Sequence, residues 1–249
     1  CIEIIEKSNI LIFSDEKLKD KFNYYKALSL RGVGGQENRD ISRKILFDLT
    51  SSNNLDLYNV IYSYLETTYE EKQKSELEEM IKILTNWKDN KVFSNSLVNV
   101  LIDFYYVISE NYLSSGDFDK EKYQKALKDL NNTISNINIS DTLDNQKQKS
   151  LKSMIIQETA LDLTRRGKEA KSDINNINLL FDESLKLKQE CNDLVGIAIN
   201  YGSRGSFYLY TMNDYENARN YLIKDIDLVN RMGDEGARAG LLNKLAMCD

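Results

Sequence analysis

Apolar residues recur along this chain three and four apart, and almost nowhere two apart, so the pattern predicts helix after helix joined by short turns. A first helix is expected from a cap at Ser14 or Asp15 to about Leu30, with Leu18, Phe22, Tyr25 and Leu28 on one stripe. The run Arg31-Gly32-Val33-Gly34-Gly35 ends it. A second helix is expected over 38–49, with Ile41, Ile45, Leu46 and Leu49 inward, before the turn Ser51-Ser52-Asn53-Asn54. Further helices are expected near 55–69, 72–88, 92–113, 118–135, 146–167, 173–191, 194–212, 214–231 and 235–249, about eleven in all. The polar stretch 136–145 is expected to be an irregular connector between divergent N-terminal hairpins (1–135) and more regular ones (146–249). No segment alternates with period two for long enough to be read as a strand.

Repetition sharpens this picture. Asn192-Asp193-Leu194 and Gly233-Asp234-Glu235 place their aspartates 41 residues apart, and Gly196 and Gly236 follow 40 apart. Gly116-Asp117-Phe118 likewise matches Asn213-Asp214-Tyr215, each just before a helix, and Ser172-Asp173-Ile174 is a weaker copy. The physical reading is that a turn residue plus aspartate caps a helix, while a small residue allows two helices to cross closely. One hairpin cannot bury its own apolar face, so neighbours must stack.

The run from Gly205 to Ala218 resembles a tetratricopeptide repeat (TPR) of the type with units of about 40 residues. Ser206 stands at the small first-helix position and Leu209 at its later large one. Ala218 and Leu222 stand at the small and large positions of the second helix, and Ala246 repeats Ser206 forty residues on. Departures are plain: Gly202 and Gly205 replace bulky first-helix residues, Asp225 stands where a small residue is common, and the terminal proline is absent. The resemblance implies an all-α solenoid of antiparallel hairpins, a TPR-like superhelix whose first helices line a groove for a protein or peptide. Forty-residue spacing pairs Ser203 with Asn243, Arg204 with Lys244 and Phe207 with Met247. The groove candidates are therefore Asn200, Arg204, Phe207, Tyr210, Asn243 and Lys244. The cations would suit a carboxylate, and the amides a peptide backbone. Against this stands the plainer reading that Phe207 and Tyr210 pack between helices and the cations are solvated.

Composition narrows the chemistry. Among 249 residues there is no histidine, which removes the usual neutral-pH base and most zinc sites, and there is no proline, which suits long helices. A net charge of −6 opposes a nucleic-acid backbone partner. Arg165, Arg166 and Lys168, the densest basic cluster, read as a solvated helix end. The longest apolar run, Leu97 to Ile108, is broken by Asn99 and Asp103 and is too short for a membrane span. Asp103, between Ile102 and Phe104, needs a partner if it is buried. The glycine-rich run at 31–35 lacks phosphate-loop spacing. Three cysteines, at 1, 191 and 248, give neither a disulfide framework nor a metal site; Cys191 and Cys248 are expected to be small buried hydrophobes. The fifteen tyrosines are expected to lay their rings on helices while their hydroxyls reach polar edges. Cys1 is compatible with a piece of a longer protein or, alternatively, with a lipid-anchored extracytoplasmic scaffold.

The expectation is thus a non-catalytic, cytoplasmic recognition module without cofactor or metal. It would bind a protein or peptide as the sensing part of a larger signalling or defence protein, or act as a dedicated peptide-pheromone-type receptor.

Overall fold

The computed structural model describes residues 15–69, 73–114, 119–166 and 168–248. Among them the protein is all-α, with twelve α-helices, one π-helical turn and no strand. Cys1 and the Gly116-Asp117-Phe118 copy of the repeat lie outside the described residues. The chain divides into two compact units, residues 1–119 and 120–249.

The first unit holds α1 (Glu16–Val33), α2 (Gln36–Leu49), α3 (Leu57–Tyr69), α4 (Lys74–Asp89) and α5 (Ser96–Leu113). Asp15 caps α1 by accepting from the Lys17 and Leu18 amides, and Asn95 caps α5 in the same way. α1 ends where Gly34 and Gly35 take φ of 77° and 83°, a left-handed turn that side chains resist, so the glycine-rich run is a helix stop. Consecutive helices pack on one another, and α5 also lies against α3. The seam between α1 and α2 does not follow the large residues. Leu18, Tyr25 and Ile41 are exposed, whereas Ala27 and Ser42 are fully buried and the Ser42 hydroxyl donates to the Ala27 carbonyl at 2.8 Å. Leu46 and Leu49 of the expected α2 stripe are buried, while at the end of the seam the small side chains take the place of Leu18, Tyr25 and Ile41 and let the backbones approach. α5 is buried around most of its circumference, and Asp103 escapes to the edge, where Lys88 pairs with it at 2.9 Å. The hydroxyls of Tyr62 and Tyr106 donate to Glu66 and Glu110 one turn away, as amphipathic rings should.

The second unit holds α6 (Lys120–Ser135), α7 (Thr142–Thr164), α8 (Lys168–Ser172), α9 (Ile174–Glu190), α10 (Leu194–Phe207), the π turn (Tyr208–Met212), α11 (Tyr215–Met232) and α12 (Glu235–Ala246). Asp141 accepts from the Leu143 and Asp144 amides, so α7 starts inside the stretch expected to be irregular. A polar helical turn with a good cap needs no apolar stripe of its own. α7 packs on α6 and α9, and α9 to α12 pack in succession. Ser153 and Ser184 are fully buried where α7 meets α9, and the Ser184 hydroxyl donates to the Ser153 carbonyl at 2.9 Å. Around this crossing Phe181 and Ile177 join Ala160, Phe207, Leu209 and Ala218 in one core. Burying a Phe side chain contributes roughly 2–3 kcal/mol, so this cluster anchors the unit.

The repeat aspartates do what their spacing implied. Asp193, Asp214 and Asp234 each accept from a backbone amide three residues on, at 2.8, 3.1 and 2.9 Å. Asp173 heads α9 without a side-chain cap bond, in line with its weaker copy of the motif. Close crossing is equally concrete at Gly205, where a Cβ would stand 2.9 Å from the Leu222 side chain. Two details went unforeseen from the sequence: the short α8, and the π turn, which ends at Asn213 in the left-handed region. Cys191 and Cys248 are only partly buried, and their thiols face the Gln146 and Lys244 carbonyls.

Candidate functional site

A cleft of about 480 Å³ opens in the second unit, built by the end of α7, one face of α10 with the π turn, the middle of α11 and the C-terminal half of α12. Phe207, Leu161 and Leu241 supply apolar wall. Ile199 and Tyr210 are lining residues that remain more than half exposed. The π turn carries Tyr210, and its hydroxyl faces the Met247 sulfur at 3.8 Å. Local π winding is frequent at functional sites because it re-aims side chains that a regular helix would place elsewhere.

The polar part of the cleft is unusual. Asp225 is only 5% exposed, yet no hydrogen-bond donor or ion-pair partner among the described residues engages its carboxylate. It rests against Gly202: a Cβ built there would stand 2.3 Å from the Asp225 Oδ2. The absence of a side chain at 202 is what leaves room for the carboxylate. Burial pushes the Asp225 carboxyl up from 3.8 to about 6, against the pull of the nearby Lys244 ammonium. Lys244 donates to the Ser206 hydroxyl at 2.9 Å instead of closing on Asp225. Arg165 stands at the exposed edge and pairs with Glu158 at 3.0 Å.

The six candidate positions separate into three groups. Phe207, Tyr210 and Lys244 line the cleft. Asn200 and Arg204 turn the other way, into the α9 contact. The Asn200 amide donates to the Phe181 carbonyl at 3.1 Å. The Arg204 guanidinium pairs with Asp182, donates to Asn178 at 3.2 Å and lies 4.6 Å from the Tyr221 ring centre. A cation so engaged is structural glue and has little left for a ligand. Asn243 is exposed on α12 outside the lining. Forty-residue spacing named α10 and α12, but not which side of each faces the cleft. Gly202 and Asp225, visible in the sequence only as two separate breaks in the repeat pattern, turn out to touch.

A second cleft, of about 350 Å³, lies in the first unit among α2, α3 and α4. Its least exposed charges are paired: Arg43 holds Glu76 at 2.8 Å and also Asp40. Its wall is aromatic, with Phe47 stacked on Trp87 at 6.2 Å and tilted against Tyr64 at 5.6 Å.

Among the described residues no group of three or more histidine, cysteine, aspartate or glutamate side chains is placed to hold a metal, and no helix is long and apolar enough to cross a membrane. No protein-family model matches the chain, and no curated protein is significantly similar to it.

Proposed function

We propose that the chain is a TPR-type solenoid acting as a non-catalytic, cytoplasmic recognition module, the part of a larger signalling or defence protein that senses a peptide or protein. The observation that carries the reading is the cleft of the second unit, whose apolar wall, exposed Ile199 and Tyr210 and half-satisfied polar groups have the make-up of a binding site rather than of a core. Capped helices recurring at Asp193, Asp214 and Asp234 support the repeat reading. An extended peptide lying across α10 and α12 would cover Tyr210 and Ile199 and meet the Lys244 ammonium at its side.

Selection from a displayed random-peptide library on the full chain tests this. Enriched peptides should bind the wild type and lose at least about tenfold in affinity to an Ile199→Glu/Tyr210→Ala variant. They should keep their affinity for Leu179→Glu, which alters an exposed α9 residue outside the cleft lining. Enrichment of nothing, or binding indifferent to the cleft, would sink the reading.

A further inference from the structure

Opposite charges that face one cleft normally neutralise each other; here they do not. The Asp225 side chain is mostly buried in the wall with its carboxylate opening on the cleft and no protein donor among the described residues, while Lys244 is committed to a single hydroxyl, Ser206, by one of its three N–H bonds. A buried carboxylate without a donor is expensive, and it persists when something outside the chain completes it. The raised pKa of the Asp225 carboxyl, about 6, reflects that burial. Gly202 adds an independent geometric observation, because only a residue without a side chain lets the carboxylate occupy its present place. Two breaks in the repeat pattern therefore act as one device, a slot cut by the glycine and filled by the acid. The remaining lining is apolar at Leu161, Phe207 and Leu241, and the volume lies in the range of small-ligand clefts, about 300–1,000 Å³.

We propose that this cleft takes a zwitterionic ligand of the class of free amino acids and short unblocked peptides, with its ammonium on Asp225 and its carboxylate on Lys244. The inference rests on reading the cleft as a recognition site and names the chemistry it recognises. A simple amine would complete Asp225 but leave the Lys244 ammonium without a counter-charge. A simple acid would meet Lys244 but leave Asp225 bare. A ligand with both charges answers both sides, and its aliphatic or aromatic side chain has the apolar wall to rest on.

Titration of the full chain with the free amino acids and a set of unblocked di- and tripeptides, read by ligand-observed NMR and calorimetry, tests the proposal. At least one should bind below about 1 mM, and its N-acetylated and C-amidated forms should each bind at least about tenfold more weakly. In Asp225→Asn and in Gly202→Ala, which displaces the carboxylate, free and N-acetylated forms should bind alike. In Lys244→Met, free and amidated forms should bind alike. Circular dichroism of each variant separates lost recognition from lost fold, and Gly202→Ala keeps the test alive if Asp225→Asn misfolds. Blocked ligands binding as well as free ones, or no binding by any probe up to about 10 mM, overturns the proposal. Displayed peptides that need the cleft but not a free terminus would overturn it and leave peptide recognition standing. Free amino acids that bind while no displayed peptide does would have the opposite meaning.

Discussion

The two units treat buried polarity differently. In the first, the buried polar residues among those described are hydroxyl-bearing: Ser42, Ser63, Thr67, Thr68 and Ser109, with Thr67 and Thr68 donating to carbonyls one turn back. In the second, four charged residues are buried: Asp162, Lys188, Arg204 and Asp225. Asp162 is held by Arg166 at 2.7 Å and Gln124 at 3.1 Å, and Arg204 by Asp182 and Asn178. Asp225 and Lys188 have no such partner among the described residues. A fold under selection for stability alone removes or pairs such charges, because each costs several kcal/mol to desolvate. The first unit shows the paired arrangement, in which Arg43 closes on Glu76 within its cleft. The second keeps unpaired charge where a ligand can reach it, at Asp225. Perturbed ionisable groups in a cleft are a physical marker of candidate sites, and Asp225 carries that mark in the second unit.

The largest test of this contrast lies in the first unit. Replacing Arg43 with Met strands the Glu76 side chain, which is 14% exposed, and should cost about 3–4 kcal/mol in urea unfolding. A loss near zero would mean that the first unit's charges are not spent on its fold. In the second unit the sign should reverse. Lys188 is 3% exposed, and burial pushes its ammonium down from 10.5 to about 8, opposed only by Asp193. The folded state therefore releases this proton more readily than the unfolded chain. The penalty is complete below about pH 8 and fades as pH rises towards 10.5. Lys188→Met should gain about 2–3 kcal/mol at pH 7, with the gain shrinking above pH 8. Stability unchanged at both pH values would show that the ammonium is solvated.

Asp225 gives the smaller effect of the same kind. Its folded carboxyl holds the proton more tightly than the unfolded chain does, so wild-type stability falls as pH rises from about 4 to about 6. Lys244 on α12 is the charge that works against this shift. Asp225→Asn should stabilise the protein by about 1–2 kcal/mol at pH 7.5 and by little at pH 4, since the amide remains a polar group without its full set of partners. Thermal melts at the two pH values decide it. Destabilisation at pH 7.5 would mean that the carboxylate already has a partner in solution, and the contrast between the units would then weaken.

Helix existence was legible in the sequence because it depends on local terms: spacing of apolar residues, caps and glycine stops. Eleven expected helices correspond to eleven of the twelve observed. The twelfth, α8, has five residues, too few for periodicity to register. Helix faces were less legible. Leu18 and Ile41 lost the α1–α2 seam to Ala27 and Ser42 because backbone proximity, a property of two helices together, outweighed the size of any one side chain. The cleft was half legible for the same reason. Of the candidate positions Phe207, Tyr210 and Lys244 line the cleft, whereas Arg204, one turn from Phe207 in the same helix, points into α9 and is engaged there.

By itself the sequence determined an all-α chain, most of its helix caps and glycine stops, and the absence of imidazole chemistry. These follow from properties of single residues and their near neighbours. Only the tertiary structure decided that Gly202 and Asp225, 23 positions apart, meet across α10 and α11, that Lys244 stops short of the carboxylate, and that the π turn sets Tyr210 at the cleft. The reason is geometric. Whether a charge is spent or kept depends on what the crossing of several helices brings within 3 Å of it, and no local pattern encodes that distance.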